Sequence, residues 1–308
     1  MRARANVERW NGEAAVVLAA GDLAATFLPE RGMLGVSLVH RGAELLALPK
    51  PVGAWTTGAT TGMPLLHPWA NRLPGWSYRA GGRGVRLRGL PLPVDERGLP
   101  IHGTVRATPF AVEALRARGN DAVLRARLHS ADDALLTRAF PYAHDLVVEA
   151  RVDANRLRVT TELHATGAVP VPLSFGWHPY FALTDAPRAR WRLRLPARTE
   201  IALGDDFVPT GHTDERVAED APIGRRTFDT HYALGRDRRF VLESSARRLT
   251  VTFDAGYPFA QVYAPSRREF ACIEPMVTSV GALGHGGAPS VAAGAAYRAT
   301  FTVAVSLR

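Results

Sequence analysis

Four short segments, far apart in the chain, carry the side chains best suited to proton transfer. Two imidazoles, one carboxylate and one guanidinium are a set that can perform general acid–base chemistry on a neutral polar molecule. The segments are Met63–Leu73 with Asn71 and Arg72, Leu99–Arg106 with His102, Ser174–Phe181 with His178, and Phe270–Thr278 with Glu274. Each also has a structural alternative: a core or turn histidine, or an ion-paired arginine or glutamate.

The local sequence around these residues predicts how each is presented. His178 precedes Pro179 in an apolar and aromatic stretch, so it should be extended, on a strand that runs into a loop. Glycine follows His102 directly, which lets another group approach the backbone closely. Glu274 is predicted at the end of an apolar strand, where a carboxylate is either paired structurally or held for proton transfer.

Other common chemistries lack their sequence signals. The chain has no G-x-S-x-G turn, no phosphate-binding loop and no dinucleotide fingerprint. The single Cys272 excludes an internal disulfide and a thiolate cluster. A zinc site made from His67, His102, His178 and Glu274 is conceivable, although the local H-E-x-x-H spacing is missing.

Period-two alternation of apolar and polar residues recurs along the chain and predicts strands. No segment shows a helical stripe over three turns, and the chain contains 22 Pro and 28 Gly. We therefore expect an all-β fold of large antiparallel sheets packed face to face as a sandwich, forming a single domain over residues 1–308. The clearest alternating stretches are 124–128, 157–163, 191–195, 249–253 and 297–307.

Charge and hydropathy exclude several classes of partner. The formal charge of +9 comes almost entirely from dispersed arginines, and Lys50 is the only lysine, so we do not expect nucleic-acid binding. No apolar run approaches the roughly 20 residues needed to span a bilayer. The N-terminal residues lack a signal-peptide core, which predicts a cytoplasmic protein.

The chain resembles the aldose 1-epimerase, or galactose mutarotase-like, family from about Leu34 to the last strand. The matching pieces stand in the family's order: Pro68–Arg72, His102–Arg106, Phe175–Phe181 and Ile273–Pro275. Phe228–Thr230 looks like the family's acidic sugar-binding segment, with Asp205, Asp206 and Asp237 as nearby competitors for that role.

The resemblance implies a β-supersandwich with an open sugar cleft, and interconversion of the α and β anomers of an aldose without metal or cofactor. It implies that Glu274 is the general base, that His178 is the general acid for the ring oxygen, and that His102 holds that oxygen. The implied hydroxyl contacts are Asn71, Arg72 and Asp229, and Trp177 or Trp69 could line the cleft. With reference pKa values of about 4.3 and 6.5, glutamate and histidine would need only modest tuning.

Two rival functions remain open at this stage. An epimerase for hexose 6-phosphates would use the arginine surplus, with Arg79, Arg83, Arg86 and Arg106 as candidate phosphate contacts. A non-catalytic sugar-binding protein would keep the cleft but not use the acid–base pair. The residues do not predict which sugar binds, the oligomeric state, or whether the charged segment 205–221 covers the cleft.

Overall fold

Antiparallel strands make up most of the protein. The structure, a computed structural model, describes residues 2–53 and 58–308. The strands of the first half are β1 (Arg4–Trp10), β2 (Glu13–Ala20), β3 (Leu23–Leu28), β4 (Leu34–His40), β5 (Ala43–Glu44), β6 (Leu65–Leu66), β7 (Ser77–Ala80), β8 (Arg83–Arg86), β9 (Ala111–Arg118), β10 (Asp121–His129), β11 (His144–Asp153) and β12 (Arg156–Ala165).

The second half continues the same pattern with shorter central strands. These are β13 (Val171–Pro172), β14 (Gly176–Trp177), β15 (Tyr180–Phe181), β16 (Arg192–Leu195), β17 (Arg198–Leu203), β18 (Pro209–Arg216), β19 (Glu219–Pro222), β20 (Phe228–Leu234), β21 (Arg239–Glu243), β22 (Arg247–Ala255), β23 (Phe259–Ala264), β24 (Ala271–Met276), β25 (Ser290–Val291) and β26 (Ala296–Leu307). The predicted all-β class is confirmed.

Helical structure is limited to one short helix and four single turns within the described residues. The helix α1 (Ala134–Ala139) begins after Asp133, whose side chain accepts a hydrogen bond from the Leu136 N–H. The 3₁₀ turns are Pro29–Arg31, Val105–Ala107, Ser130–Asp132 and Arg188–Arg190. No helix in residues 2–53 and 58–308 has the length and apolarity that crossing a membrane requires.

Three large sheets organise these strands. A five-stranded sheet has the order β1-β2-β3-β4-β5, and a nine-stranded sheet has the order β19-β16-β21-β22-β26-β12-β11-β10-β9. An eight-stranded sheet runs β18-β17-β20-β23-β24-β14-β6, with β15 also pairing with β24. Two small ribbons, β13-β25 and β7-β8, complete the set.

The alternating stretches bury one face of each sheet in a shared core. On β12, Leu157, Val159 and Leu163 are buried, and Val159 pairs with Phe301 of β26. The same apolar cluster contains Trp177 and Ile273 from the eight-stranded sheet. Because one face of each large sheet packs into this common cluster, the opposite face of the eight-stranded sheet can carry the polar residues of a site.

Strand β24 lies in the eight-stranded sheet and is buried along its whole length. Ile273 faces the core, so Cys272 and Glu274 face the other way. Two short strands pair with β24 in one antiparallel register, since Gly176 lies opposite Met276 and Tyr180 lies opposite Cys272. The residue midway between those pairs is His178, and its counterpart on β24 is Glu274. The register thus sets these two side chains face to face.

Candidate active site

An open cleft of about 710 Å³ lies over the polar face of β24. Its size falls within the range of small-molecule sites. All four segments singled out in the sequence contribute to it. The cleft brings together six of the predicted site residues: Asn71, Arg72, His102, His178, Asp229 and Glu274.

The imidazole of His178 and the carboxylate of Glu274 form the floor of the cleft. His178 Nε2 lies 3.3 Å from Glu274 Oε1, and both side chains are buried. The ring of His178 stacks on Tyr180, with centroids 4.5 Å apart and planes 10° apart. The Tyr180 hydroxyl is in turn held by Thr60 Oγ1 at 2.7 Å. Stacking on an anchored ring fixes the direction in which the imidazole nitrogen points.

His102 stands beside this pair on a tightly constrained loop. Its φ of 62° lies in the left-handed region, and its ring meets that of His178 edge-on, 5.4 Å away between centroids. Gly103 follows, where an added Cβ would meet the His67 carbonyl oxygen at 2.0 Å, so only glycine fits. Neither ring nitrogen of His102 is hydrogen-bonded to another described residue, which leaves Nε2 available to a ligand.

Arg72 is held rigidly at one side of the cleft. Its Nε donates to Asp95 Oδ2 at 2.9 Å and its Nη1 donates to Asn71 Oδ1 at 3.1 Å. Burial works to raise the pKa of Asp95, but hydrogen bonds from Leu99 N–H and Arg72 outweigh it, so the pKa is lowered. Arg72 therefore has the structural carboxylate partner that the sequence left open, and it still lines the cleft.

Asp229 and Gln261 stand on the neighbouring strands β20 and β23. Gln261 Nε2 donates to Asp229 Oδ1 at 2.6 Å, and Gln261 is the register partner of Glu274. Both residues line the cleft. The competing acids lie elsewhere: Asp237 is bound to Arg239, and Asp206 accepts from the N–H of Val208. Of the four aspartates suggested by the sequence, Asp229 is the one that lines the cleft.

Burial pushes both partners of the floor pair towards their uncharged forms. It raises the pKa of Glu274 well above its ordinary value, with Asp229 adding to the effect and Arg72 opposing it. Burial also lowers the pKa of His178 to about 3 and that of His102 well below its usual range. Both shifts are larger than the modest tuning expected from the sequence, and both favour the uncharged forms.

Both tryptophans offered as cleft-lining residues lie in the core instead. Trp177 is fully buried, its Nε1 donates to Thr161 Oγ1 at 3.0 Å, and its ring packs against Phe301. Trp69 belongs to the same apolar cluster. The prediction that Trp177 contacts the sugar is wrong because its alternating position on β14 points into the core, opposite to that of His178. Tyr180 and Tyr263 line the cleft instead.

Among the described residues, the structure assembles neither the zinc site nor the phosphate contacts that the sequence suggested. His67 bonds His144 through their Nε2 atoms at 2.8 Å and does not line the cleft, so the four proposed zinc ligands do not meet. Of the candidate phosphate contacts, Arg79, Arg83 and Arg86 lie on the β7–β8 hairpin. Arg106 is buried and donates to the Ala59 carbonyl oxygen. None of these four arginines lines the cleft.

Several cleft residues had not been singled out by the sequence. Gln261 occupies an ordinary alternating position on β23, and only its partners reveal its role. The sequence did not predict where the segment 205–221 lies, and in the structure most of it forms the exposed strands β18 and β19. In the loop before β18, the centroid of the Phe207 ring lies 4.5 Å from the guanidinium carbon of Arg72. Lys50 and Arg268 also line the cleft.

Comparisons with known proteins identify the family and the fold. The family model described as aldose 1-epimerase matches residues 30–304. A galactose mutarotase-like protein of Clostridium acetobutylicum superimposes with a TM-score of 0.84 at 16% identity, over 100% of this chain and 99% of that one. A galactose 1-epimerase of Lactobacillus acidophilus NCFM gives 0.76 at 15% identity, over 100% and 99%. A search of curated proteins finds no match. The fold is thus the predicted galactose mutarotase-like β-supersandwich.

Proposed function

The chain belongs to the aldose 1-epimerase family, and from that premise we propose that it interconverts the α and β anomers of an aldose. The observation that carries the proposal is the buried pair of His178 and Glu274, 3.3 Å apart on the floor of an open cleft. Anomer exchange needs one group to take a proton and another to give one on the two oxygens of the same carbon. A single shared proton between a carboxylate and an imidazole meets that need.

The proposed reaction begins when the shared proton resides on His178. Glu274 then takes the proton of the anomeric hydroxyl while His178 gives its proton to the ring oxygen, and the bond between that oxygen and the anomeric carbon breaks. The open aldehyde turns about its bond to the next carbon, and the reverse transfers close the ring as the other anomer. Each well-placed group contributes roughly 10²–10⁴-fold to such a rate.

The charged arrangement of the pair must be stabilised against burial. The positive charge of Arg72 favours the ionised form of Glu274. His102 stands edge-on to His178 with an uncommitted Nε2, and in its neutral form it can donate to the ring oxygen. We assign Asn71, Arg72 and Asp229 to the sugar hydroxyls, because their amide, guanidinium and carboxylate groups line the cleft and suit hydroxyl partners.

The decisive experiment is anomer exchange measured by polarimetry or NMR on freshly dissolved α-glucose and α-galactose. We expect the protein to accelerate equilibration, and Glu274→Gln to lower the rate about 10²–10⁴-fold while sugar affinity is mostly retained. The matched control is Glu8→Gln, on an exposed position of β1, which should exchange at the parent rate. Unchanged exchange in Glu274→Gln would refute the assignment, and sugar binding without exchange in the parent would favour a binding protein.

A second candidate, an epimerase for sugars with an anionic substituent, is favoured by Lys50 and Arg268. Both line the cleft, and neither has a carboxylate within ion-pair distance among the described residues. Lys50 and Arg268 thus take the place of the four arginines that the sequence suggested as phosphate contacts. A comparison of rates for glucose and glucose 6-phosphate separates the two candidates, and Lys50→Ala should reduce the rate only with the phosphorylated sugar.

A further inference from the structure

The thiol of Cys272 lies beside the floor pair and has no part in the proposed proton transfers. Cys272 and Glu274 are two positions apart on β24, so their side chains leave the strand on the same face. Tyr180 pairs with Cys272, which brings His178 close to both. One ligand atom from each of the three residues lies within 4.8 Å of the other two, and all three residues are buried.

This donor set matches a zinc-type site in both chemistry and size. Thiolate, imidazole and carboxylate bind zinc at about 2.3, 2.0–2.1 and 2.0–2.2 Å. Those bond lengths separate the ligand atoms of a tetrahedral site by about 3.4–3.7 Å, so each side chain needs to move inward by less than about 1 Å. A site with three protein ligands keeps its fourth position for water. His178 and Glu274 line the cleft, through which an ion can enter.

We infer that His178, Cys272 and Glu274 form a binding site for a thiophilic divalent cation such as Zn²⁺ or Cd²⁺, and that its occupation switches off anomer exchange. Binding releases to solvent the thiol proton and the proton shared by His178 and Glu274. The metal then occupies the atoms that would serve as acid and base. Because sulfur is a soft ligand, Mg²⁺ and Ca²⁺ do not compete. The inhibition rests on the proposed function, whereas the metal binding does not.

Metal binding is tested first, without any measurement of activity. Protein stripped with EDTA and dialysed is titrated with ZnCl₂ by calorimetry, and with CdCl₂ while the ultraviolet sulfur-to-cadmium charge-transfer band is recorded. We expect one ion per chain and a charge-transfer band that saturates at the same ratio. Absence of the band with saturating cadmium overturns the inference, because the only thiol of the chain is Cys272.

Inhibition is tested on the same preparation. One equivalent of ZnCl₂ should abolish exchange, EDTA should restore it, and MgCl₂ should leave it unchanged. Full exchange in the presence of saturating zinc overturns the second half of the inference. If the stripped parent shows no exchange at all, the proposed function fails, while the cadmium band still reports on the metal site.

Cys272→Ser separates the metal site from the sugar chemistry. It should exchange anomers at the parent rate but lose zinc affinity by more than the roughly 10–100-fold that loss of a supporting residue costs. Cys272→Ala serves the same purpose if the hydroxyl is poorly tolerated in this apolar position. The control is His129→Ala, which removes an exposed histidine beside Asp145 and should keep full zinc sensitivity. A serine variant as sensitive to zinc as the parent would contradict the site.

Discussion

Two pairs of histidines lie inside this protein, and they differ in what their nitrogens meet. His67 and His144 are joined by an Nε2–Nε2 hydrogen bond of 2.8 Å, and Phe140 packs edge-on against both rings. His102 and His178 also meet edge-on, but their rings border the cleft and His178 faces Glu274. All four are at most 6% exposed. Burial therefore does not tell a structural histidine from one that can act on a ligand.

His67 and His144, called the sealed pair from here on, have a fixed arrangement of protons. The Tyr142 carbonyl can only accept, so His144 Nδ1 carries a proton and donates to it at 2.6 Å. His144 Nε2 must then accept from the Nε2–H of His67. An added proton would either set two N–H groups against each other or sit on the buried Nδ1 of His67, which has no hydrogen-bond partner among the described residues, so burial favours the neutral form of both rings. His102 and His178 are not joined by a hydrogen bond of this kind, so their ring nitrogens can exchange protons with a ligand.

Removing the cleft imidazole should have the largest effect on rate. We expect His178→Asn to lower anomer exchange about 10²–10⁴-fold, because the ring oxygen loses its proton donor. The midpoint of urea denaturation should change little. His67→Asn is the matched control, and it should lower the midpoint while the folded fraction exchanges at the parent rate. An equal loss of rate in His178→Asn and His67→Asn would contradict the distinction between the two histidine pairs.

Removing one ring of the sealed pair should mainly lower stability. We expect His144→Ala to reduce the free energy of unfolding by about 2–4 kcal/mol, from a cavity and from an unpaired Nε2–H on His67. Urea denaturation followed by circular dichroism measures the loss. His129→Ala, on an exposed face, is the control and should be within error of the parent. A loss below about 0.5 kcal/mol would show that the pair is not closed to water.

The buried histidines, the sealed pair among them, should also make the protein acid-sensitive. Burial lowers the pKa of His144 to about 4 and that of His67 well below its usual range. Between about pH 6.5 and 4 the unfolded chain therefore binds more protons than the folded one, so stability is complete above pH 6.5 and falls as the pH drops. The slope is up to about 1.4 kcal/mol per pH unit for each such histidine. Urea midpoints at pH 7, 6 and 5 test this, and a flat profile would contradict it.

The smallest effect is expected at a residue that supports the cleft without transferring protons. Gln261→Leu removes the donor to Asp229, so we expect KM to rise about 2–10-fold with kcat nearly unchanged. Steady-state exchange over a range of sugar concentrations separates the two constants. Gln261→Asn is the matched control with a shorter amide. A fall in kcat as large as that of His178→Asn would place Gln261 in the chemistry itself.

The sequence predicted the strands well because alternation reports directly on a half-buried sheet. The long stretch 297–307 lies within β26, and the stretch 249–253 lies within β22. It could not pair His67 with His144, since those residues are 77 positions apart and the bond depends on how β6 and β11 pack. Trp177 was misplaced for a related reason, because alternation says that neighbours face opposite sides but not which side meets the core.

The charge states within the site could not be predicted either. Reference pKa values suggested an ionised glutamate and a partly protonated histidine, whereas burial raises the pKa of Glu274 and lowers that of His178. The candidates His102, His178 and Glu274 were predictable, because proline and glycine mark the segments in which they are presented. The close approach of His178 and Glu274 follows from sheet register, which no local pattern encodes.

The common register of β14 and β15 on β24 has an evolutionary consequence. The spacing of the His178 and Glu274 side chains is set by backbone pairing, whereas Asn71, His102 and Lys50 come from connecting segments. Insertions and substitutions in those segments can therefore alter which ligand is accepted without disturbing the distance between imidazole and carboxylate. A lineage carrying this scaffold can diversify its ligands while the geometry of that pair stays constant.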